Sequence, residues 1–115
     1  ISDQTHATGE FLIMLYVMMA FDAPNSEAAR KTAHAAHMTH LEKIAEAGGR
    51  IVLAGPCLAN DSPDRQVAGY FGSLLVAEFE SLAKAQAWSD ADPFLTAGVF
   101  SQVIVKPFRQ VIPAP

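Results

Sequence analysis

At 115 residues, half of them hydrophobic and 17% charged, the chain has the length and the apolar content to bury one core, which excludes a natively disordered polymer. Its net charge is −4, and its Lys and Arg residues are scattered from Arg30 to Arg109, which argues against nucleic acid, whose phosphates require clustered cations. The one cysteine, Cys57, excludes an internal disulfide and a zinc site built on thiolates, and a free thiol fits a reducing cytoplasm.

Residues 1–10, ISDQTHATGE, read as a lead outside the fold. The chain starts with Ile1, as an appended or processed start would, and Met14 is a candidate native start. No basic region precedes the apolar run at 11–21, so a signal peptide is not expected, and that run is shorter than the roughly 20 residues of a membrane span. The remainder, 11–115, reads as one domain.

FLIMLYVMMAF (11–21) is the first strand, apolar on both faces and free of Gly and Pro. Asp22–Ser26 is turn chemistry, with Asn25 or Ser26 as N-cap of a helix over 27–47 that Gly48 and Gly49 end. RIVLAGPCLA (50–59) is the second strand, and 60–69 is a polar loop. YFGSLLVAEF (70–79) is the third strand. A second helix follows over 80–91, with Ser81 as N-cap, and Pro93 stops it. A short link over 93–98 leads to the last strand, VFSQVIVKPF (99–108).

The order β-α-β-β-α-β is the ferredoxin-like pattern, an α+β fold whose antiparallel sheet carries two helices on one face. The other face is too apolar to stand in water, so a second copy is expected to cover it, giving a homodimer with its sheets face to face. Such a dimer, a dimeric α/β barrel, is expected to enclose a cavity or cleft for each subunit.

HAAHMTH puts three imidazoles on the first helix. At ~100° per residue His37 lies about 40° from Leu41, in the middle of the apolar stripe, whereas His40 lies about 100° away at its edge. An imidazole in a buried stripe needs a partner, and a carboxylate is the strongest candidate. The i, i+3, i+6 spacing spreads the three rings too widely for a shared metal ion, so no metal is expected; nor is a cofactor expected. Asp92, just before Pro93, is either a turn residue or that carboxylate; Asp90 reads as a helix-end residue. Trp88 reads as core, and Cys57 as a buried, inert thiol that could instead face the cavity.

Four stretches in order carry a resemblance: MLYVMMAFDAP (14–24), HMTHLEKIAEAGGRIVLAGP (37–56), VAEFESLAKAQAWSDADPFLTAGVF (76–100) and VIVKPF (103–108). Together they resemble the YciI-like proteins of the dimeric α/β-barrel superfamily. The resemblance implies a ferredoxin-like, dimerising subunit and a His/Asp-centred active site. The family's His-Leu-x-x-Leu segment, which runs on to a Gly, matches from His37 to Gly48, with Met38 in place of the usual Leu and Gly49 as an extra residue. His40, with its own His-Leu pair, is the rival position. The family's Asp-Pro-Phe/Tyr stretch matches Asp92-Pro93-Phe94.

The resemblance thus implies His37 as general acid/base and Asp92 as the carboxylate that orients it. Gly55 and Pro56 of the AGP piece and Phe94 of the DPF piece are the substrate-binding candidates. Imidazole suits proton transfer because its reference pKa, ~6.5, lies near neutrality. Nucleophilic Ser or Cys motifs and phosphate-cradling Gly-rich loops are absent from the sequence, which disfavours acyl and phosphoryl transfer. Relatives in the superfamily include muconolactone-isomerase-like proteins and a dehydrochlorinase acting on a chlorinated hydroxyquinol. A cytoplasmic lyase or isomerase acting on a cyclic small molecule is therefore the expectation. Its rival is a metabolite-binding module that uses the same pair as a polar anchor; oxygenase-like chemistry is a third possibility known elsewhere in the superfamily.

Overall fold

A computed structural model describes residues 14–115. The expected lead at 1–10 and the first three residues of the expected first strand lie outside the described residues. Strand β1 (Met14–Asp22) buries Tyr16, Met18 and Ala20 on one face and half-buries Leu15, Val17, Met19 and Phe21 on the other. This alternation follows from the two-residue side-chain period of a strand, and the apolar content of both faces suits a strand in the middle of a sheet. β1 pairs antiparallel with both β3 (Tyr70–Phe79) and β4 (Phe100–Phe108), and β2 (Arg50–Leu58) adds to the free side of β3. The order β2-β3-β1-β4 is that of the ferredoxin-like α+β fold anticipated above.

Helix α1 (Glu27–Glu42) begins at Ser26, which occupies the N-cap position but makes no side-chain cap bond; its carbonyl receives the Arg30 amide. The expected single helix over 27–47 is interrupted at Lys43. A 3-10 turn over Ile44–Ala47 follows and ends at Gly48, whose φ of 79° is left-handed and suited to glycine. The interruption turns Ile44 inward, onto Phe79. Gly49 lies so close to that ring that a Cβ there would fall 2.7 Å from it.

Helix α2 (Arg65–Ala68) lies inside the expected loop over 60–69. Helix α3 (Leu82–Asp90) is capped by Ser81, whose hydroxyl accepts the Lys84 amide at 3.2 Å. The expected link after it contains a further short helix, α4 (Pro93–Thr96).

The core forms where the helices meet one face of the sheet. Tyr16, Met18, Leu75, Ala77, Phe79 and Val105 from the strands close on Ile44, Ala85 and Trp88. A second cluster, Ala20, Ala33, Phe94, Val99 and Phe100, joins α1 and α4 to the ends of β1 and β4. The opposite face carries Val17, Met19, Val76 and Ile104 in register across three strands, with Leu53 beside Val76. Leu53 and Phe71 are 52% and 57% exposed there, an apolar surface with no helix over it. Among the described residues, no helix is long and apolar enough to cross a membrane.

Candidate active site

Asp92 has extended backbone angles, φ −63° and ψ 125°, as a residue before proline prefers. Pro93 then takes the first position of α4, where its missing N–H costs nothing, and Asp92 becomes the N-cap. Its Oδ1 accepts the Phe94 amide at 2.9 Å. The same oxygen lies 2.7 Å from Nδ1 of His37, on α1. The two side chains are each 12% exposed. The Asp-Pro junction therefore ends one segment, starts the next helix and meets an imidazole 55 residues away in sequence.

An ionised carboxylate only accepts hydrogen bonds, so His37 Nδ1 carries the proton and donates it to Asp92. The neutral ring then has its lone pair on Nε2, which has no hydrogen-bond partner among the described residues. The ring orientation is fixed from both sides. Phe94, 2% exposed, stacks on His37 with centroids 3.8 Å apart and planes 2° from parallel, and Phe100 meets it edge-on at 6.4 Å.

His40 does something else. Its Nε2–H donates to the Trp88 carbonyl at 2.8 Å and its ring stacks on Trp88 at 4.4 Å. Trp88 belongs to the core cluster and also lines the cavity. His40 thus ties α1 to α3, and His37 is the imidazole joined to Asp92. Asp90 sits exposed at the end of α3 and accepts from Gln86 at 2.9 Å.

His37, Asp92, Phe94, Gly55 and Pro56 all border one cavity of about 650 Å³. It lies within a single chain, between α1 and the helix-bearing side of β1, β3 and β2. The physical reason is that α1 packs chiefly on α4, through the second cluster, so it stands off β2 and leaves a cleft. Met38, 39% exposed, and Leu41 form the α1 side of the cleft. Cys57 is half-buried and pairs with Gly72 in register; it is not part of the cavity wall.

Arg30 and Tyr70 are wall residues that the sequence reading does not single out. Arg30 lies two helical turns before His37 on the same face of α1, and that spacing of seven was the available signal. Tyr70 reaches the cavity because the register of β2 on β3 skips Phe71, an irregularity that alternation in the sequence does not reveal. The Arg30 guanidinium lies 4.1 Å from the Tyr70 ring centroid, and its Nη2 donates to both Asp22 oxygens at 2.9 and 2.8 Å.

Comparison with known proteins agrees with this architecture. The YCII-related domain model matches residues 14–109. Protein YciI of Escherichia coli O6:H1 is 48% identical over 98 residues, covering 85% of this chain and 99% of the relative. An uncharacterized protein of Haemophilus influenzae is 40% identical over the same shares of each chain. Among solved structures, 5-chloro-2-hydroxyhydroquinone dehydrochlorinase (TftG) from Burkholderia phenoliruptrix AC1100, in complex with 2,5-dihydroxybenzoquinone, superposes with a TM-score of 0.73 at 31% identity, covering 85% of this chain and 96% of that one. Ribosomal protein S6 from Thermotoga maritima, with a TM-score of 0.50 at 11% identity over 84% and 88% of the two chains, shares the fold alone. A domain match spanning nearly the whole described chain, with relatives at 40% and 48% identity, places this protein in the YCII-related domain family.

Proposed function

We propose that the protein is a small-molecule enzyme of the lyase or isomerase type, with His37 as general acid/base and Asp92 as the group that orients it. The observation that carries this reading is the 2.7 Å contact between His37 Nδ1 and Asp92 Oδ1 at the wall of a cavity. Asp92 holds the proton on Nδ1 and leaves Nε2 as the base. It also stabilises the imidazolium formed once Nε2 has taken a proton, the part a carboxylate plays beside a catalytic histidine. Phe94 and Phe100 keep the ring from rotating away. Gly55 and Pro56 form the opposite wall, on the edge strand, and would contact the substrate there.

The substrate class follows from the aromatic lining and from the likeness to a dehydrochlorinase solved with a dihydroxybenzoquinone. Both favour a cyclic, ring-derived small molecule. In an elimination, Nε2 takes a proton from the hydroxylated ring, the bonding electrons shift into the ring, and a halide leaves with its electron pair. Proton and halide balance, so this chemistry requires no electron carrier. In an isomerisation, the same nitrogen would return the proton to a different ring atom.

The working unit is proposed to be a homodimer, with a second copy covering the apolar sheet face that carries Leu53, Phe71 and Val76. A cytoplasmic location accords with the lone thiol. The test is turnover of chlorinated hydroxyquinols and lactones by the wild type and by His37→Gln. A general base contributes about 10²- to 10⁴-fold in rate, and the variant should lose that factor while remaining folded. Equal turnover by the two proteins would refute the assignment. Binding without turnover across about pH 5–9, where imidazole changes charge, would favour a metabolite-binding module.

A further inference from the structure

We propose that Arg30 is the anion-binding group of this cavity and that its ligand is a ring-shaped acid, with its carboxylate or phenolate on Arg30 and its ring directed toward His37. The inference names the ligand class of the site described above and rests on that reading for the site, though not for any reaction there.

Three observations lead to it. First, the guanidinium is held in place and only partly used. Of its five N–H donors, those on Nη2 serve Asp22; Nε and Nη1 have no acceptor among the described residues, although the side chain is only 15% exposed. Enclosed cationic donors of this kind call for an acceptor, and an ionised oxygen makes a charge-assisted hydrogen bond to such a donor. Asp22 and the Tyr70 and Phe94 rings account for the charge but give those donors no acceptor among the described residues.

Second, the position suits a ligand spanning Arg30 and His37. The guanidinium carbon lies 4.9 Å from the centroid of Phe94, the same ring that stacks on His37 at 3.8 Å. Phe94 thus touches both the cation and the imidazole, and all three side chains border the same cavity. Tyr70 holds the guanidinium from another direction at 4.1 Å.

Third, cationic groups gather at the cavity. The described wall brings Arg30, Lys31 and Arg65 together with Glu27 and Asp92, on a chain whose net charge is −4.

The experiment is a calorimetric titration of the intact protein with salicylate and with its neutral amide, salicylamide. The wild type should bind salicylate at least about tenfold more tightly, because its ionised oxygen makes a charge-assisted hydrogen bond that the neutral amide does not. Replacing Arg30→Gln together with Asp22→Asn removes the pair without stranding a charge. That double variant should bind the two probes within about twofold of each other, through ring packing alone. A folded double variant that still prefers salicylate, or a wild type that does not distinguish the probes or binds neither, overturns the proposal.

Should the double variant fail to fold, the side-chain Nε–H signal of Arg30 in the wild type decides. It should shift on adding salicylate and stay put with salicylamide; no shift with salicylate overturns the proposal. The same titration on His37→Gln separates the two readings, since salicylate preference that survives there stands whether or not His37 is a base.

Discussion

Replacing Asp92 by Ala perturbs more than the candidate chemistry, and the structure sets the size of the effect. One carboxylate oxygen caps α4 through the Phe94 amide at 2.9 Å and also receives His37 at 2.7 Å. Loss of the cap costs about 1 kcal/mol. Leaving the His37 Nδ1–H without an acceptor, in a side chain 12% exposed, costs about 1–3 kcal/mol more. The expected destabilisation is therefore about 2–4 kcal/mol, read by urea unfolding. At roughly 4 °C per kcal/mol for a domain of this size, the thermal midpoint should fall by about 8–16 °C. Asp92→Asn keeps an oxygen for the cap and should lose about half as much. A cycle with His37→Ala isolates the pair, and the coupling should be about 1–3 kcal/mol. An Asp92→Ala loss below about 0.5 kcal/mol, the range of an ordinary surface substitution, would refute the reasoning, and so would a coupling indistinguishable from zero.

Two further predictions concern the frame around the site. Gly49→Ala places a Cβ 2.7 Å from the Phe79 ring and should destabilise by about 1–3 kcal/mol through overpacking; an unchanged unfolding midpoint would contradict the close approach. Leu53→Glu puts a charge on the exposed apolar face of β2. It should convert a dimer to a monomer in sedimentation while moving monomer stability by no more than about 0.5 kcal/mol, and an unaltered sedimenting mass would count against assembly through that face.

The strands were the most legible part of the molecule, because burial on a sheet imposes a two-residue period and turn residues mark its ends. β3 runs from Tyr70 to Phe79, as its sequence suggests. The helices were less so. In the sequence Pro93 marks the end of a segment, yet proline fits the first position of a helix equally well, and α4 starts there with Asp92 as its cap. Neither Gly nor Pro marks the break at Lys43. The break serves the packing of Ile44 on Phe79, a tertiary demand with no local signal.

At the site, the wheel position of His37 and the Asp-Pro dipeptide each carried a signal, and the family resemblance joined them as a pair. The place of the cavity carried none. It arises because α1 leans on α4 and not on β2, and such docking depends on side-chain volumes across three elements. Arg30 went unread for a related reason. Its spacing from His37 was visible, but its enclosure depends on Asp22 and on Tyr70, which a strand irregularity brings to the cavity.

The central claim is that Asp92 fixes the proton on Nδ1 of His37 and so presents Nε2 as a base. Two-dimensional ¹⁵N–¹H spectroscopy of the histidine rings, on the neutral form, measures this without a known substrate. The account predicts a protonated Nδ1 and a bare Nε2 for His37 in the wild type, with that preference lost in Asp92→Ala. A His37 ring carrying its proton on Nε2, or a tautomer indifferent to the Asp92 substitution, would contradict it.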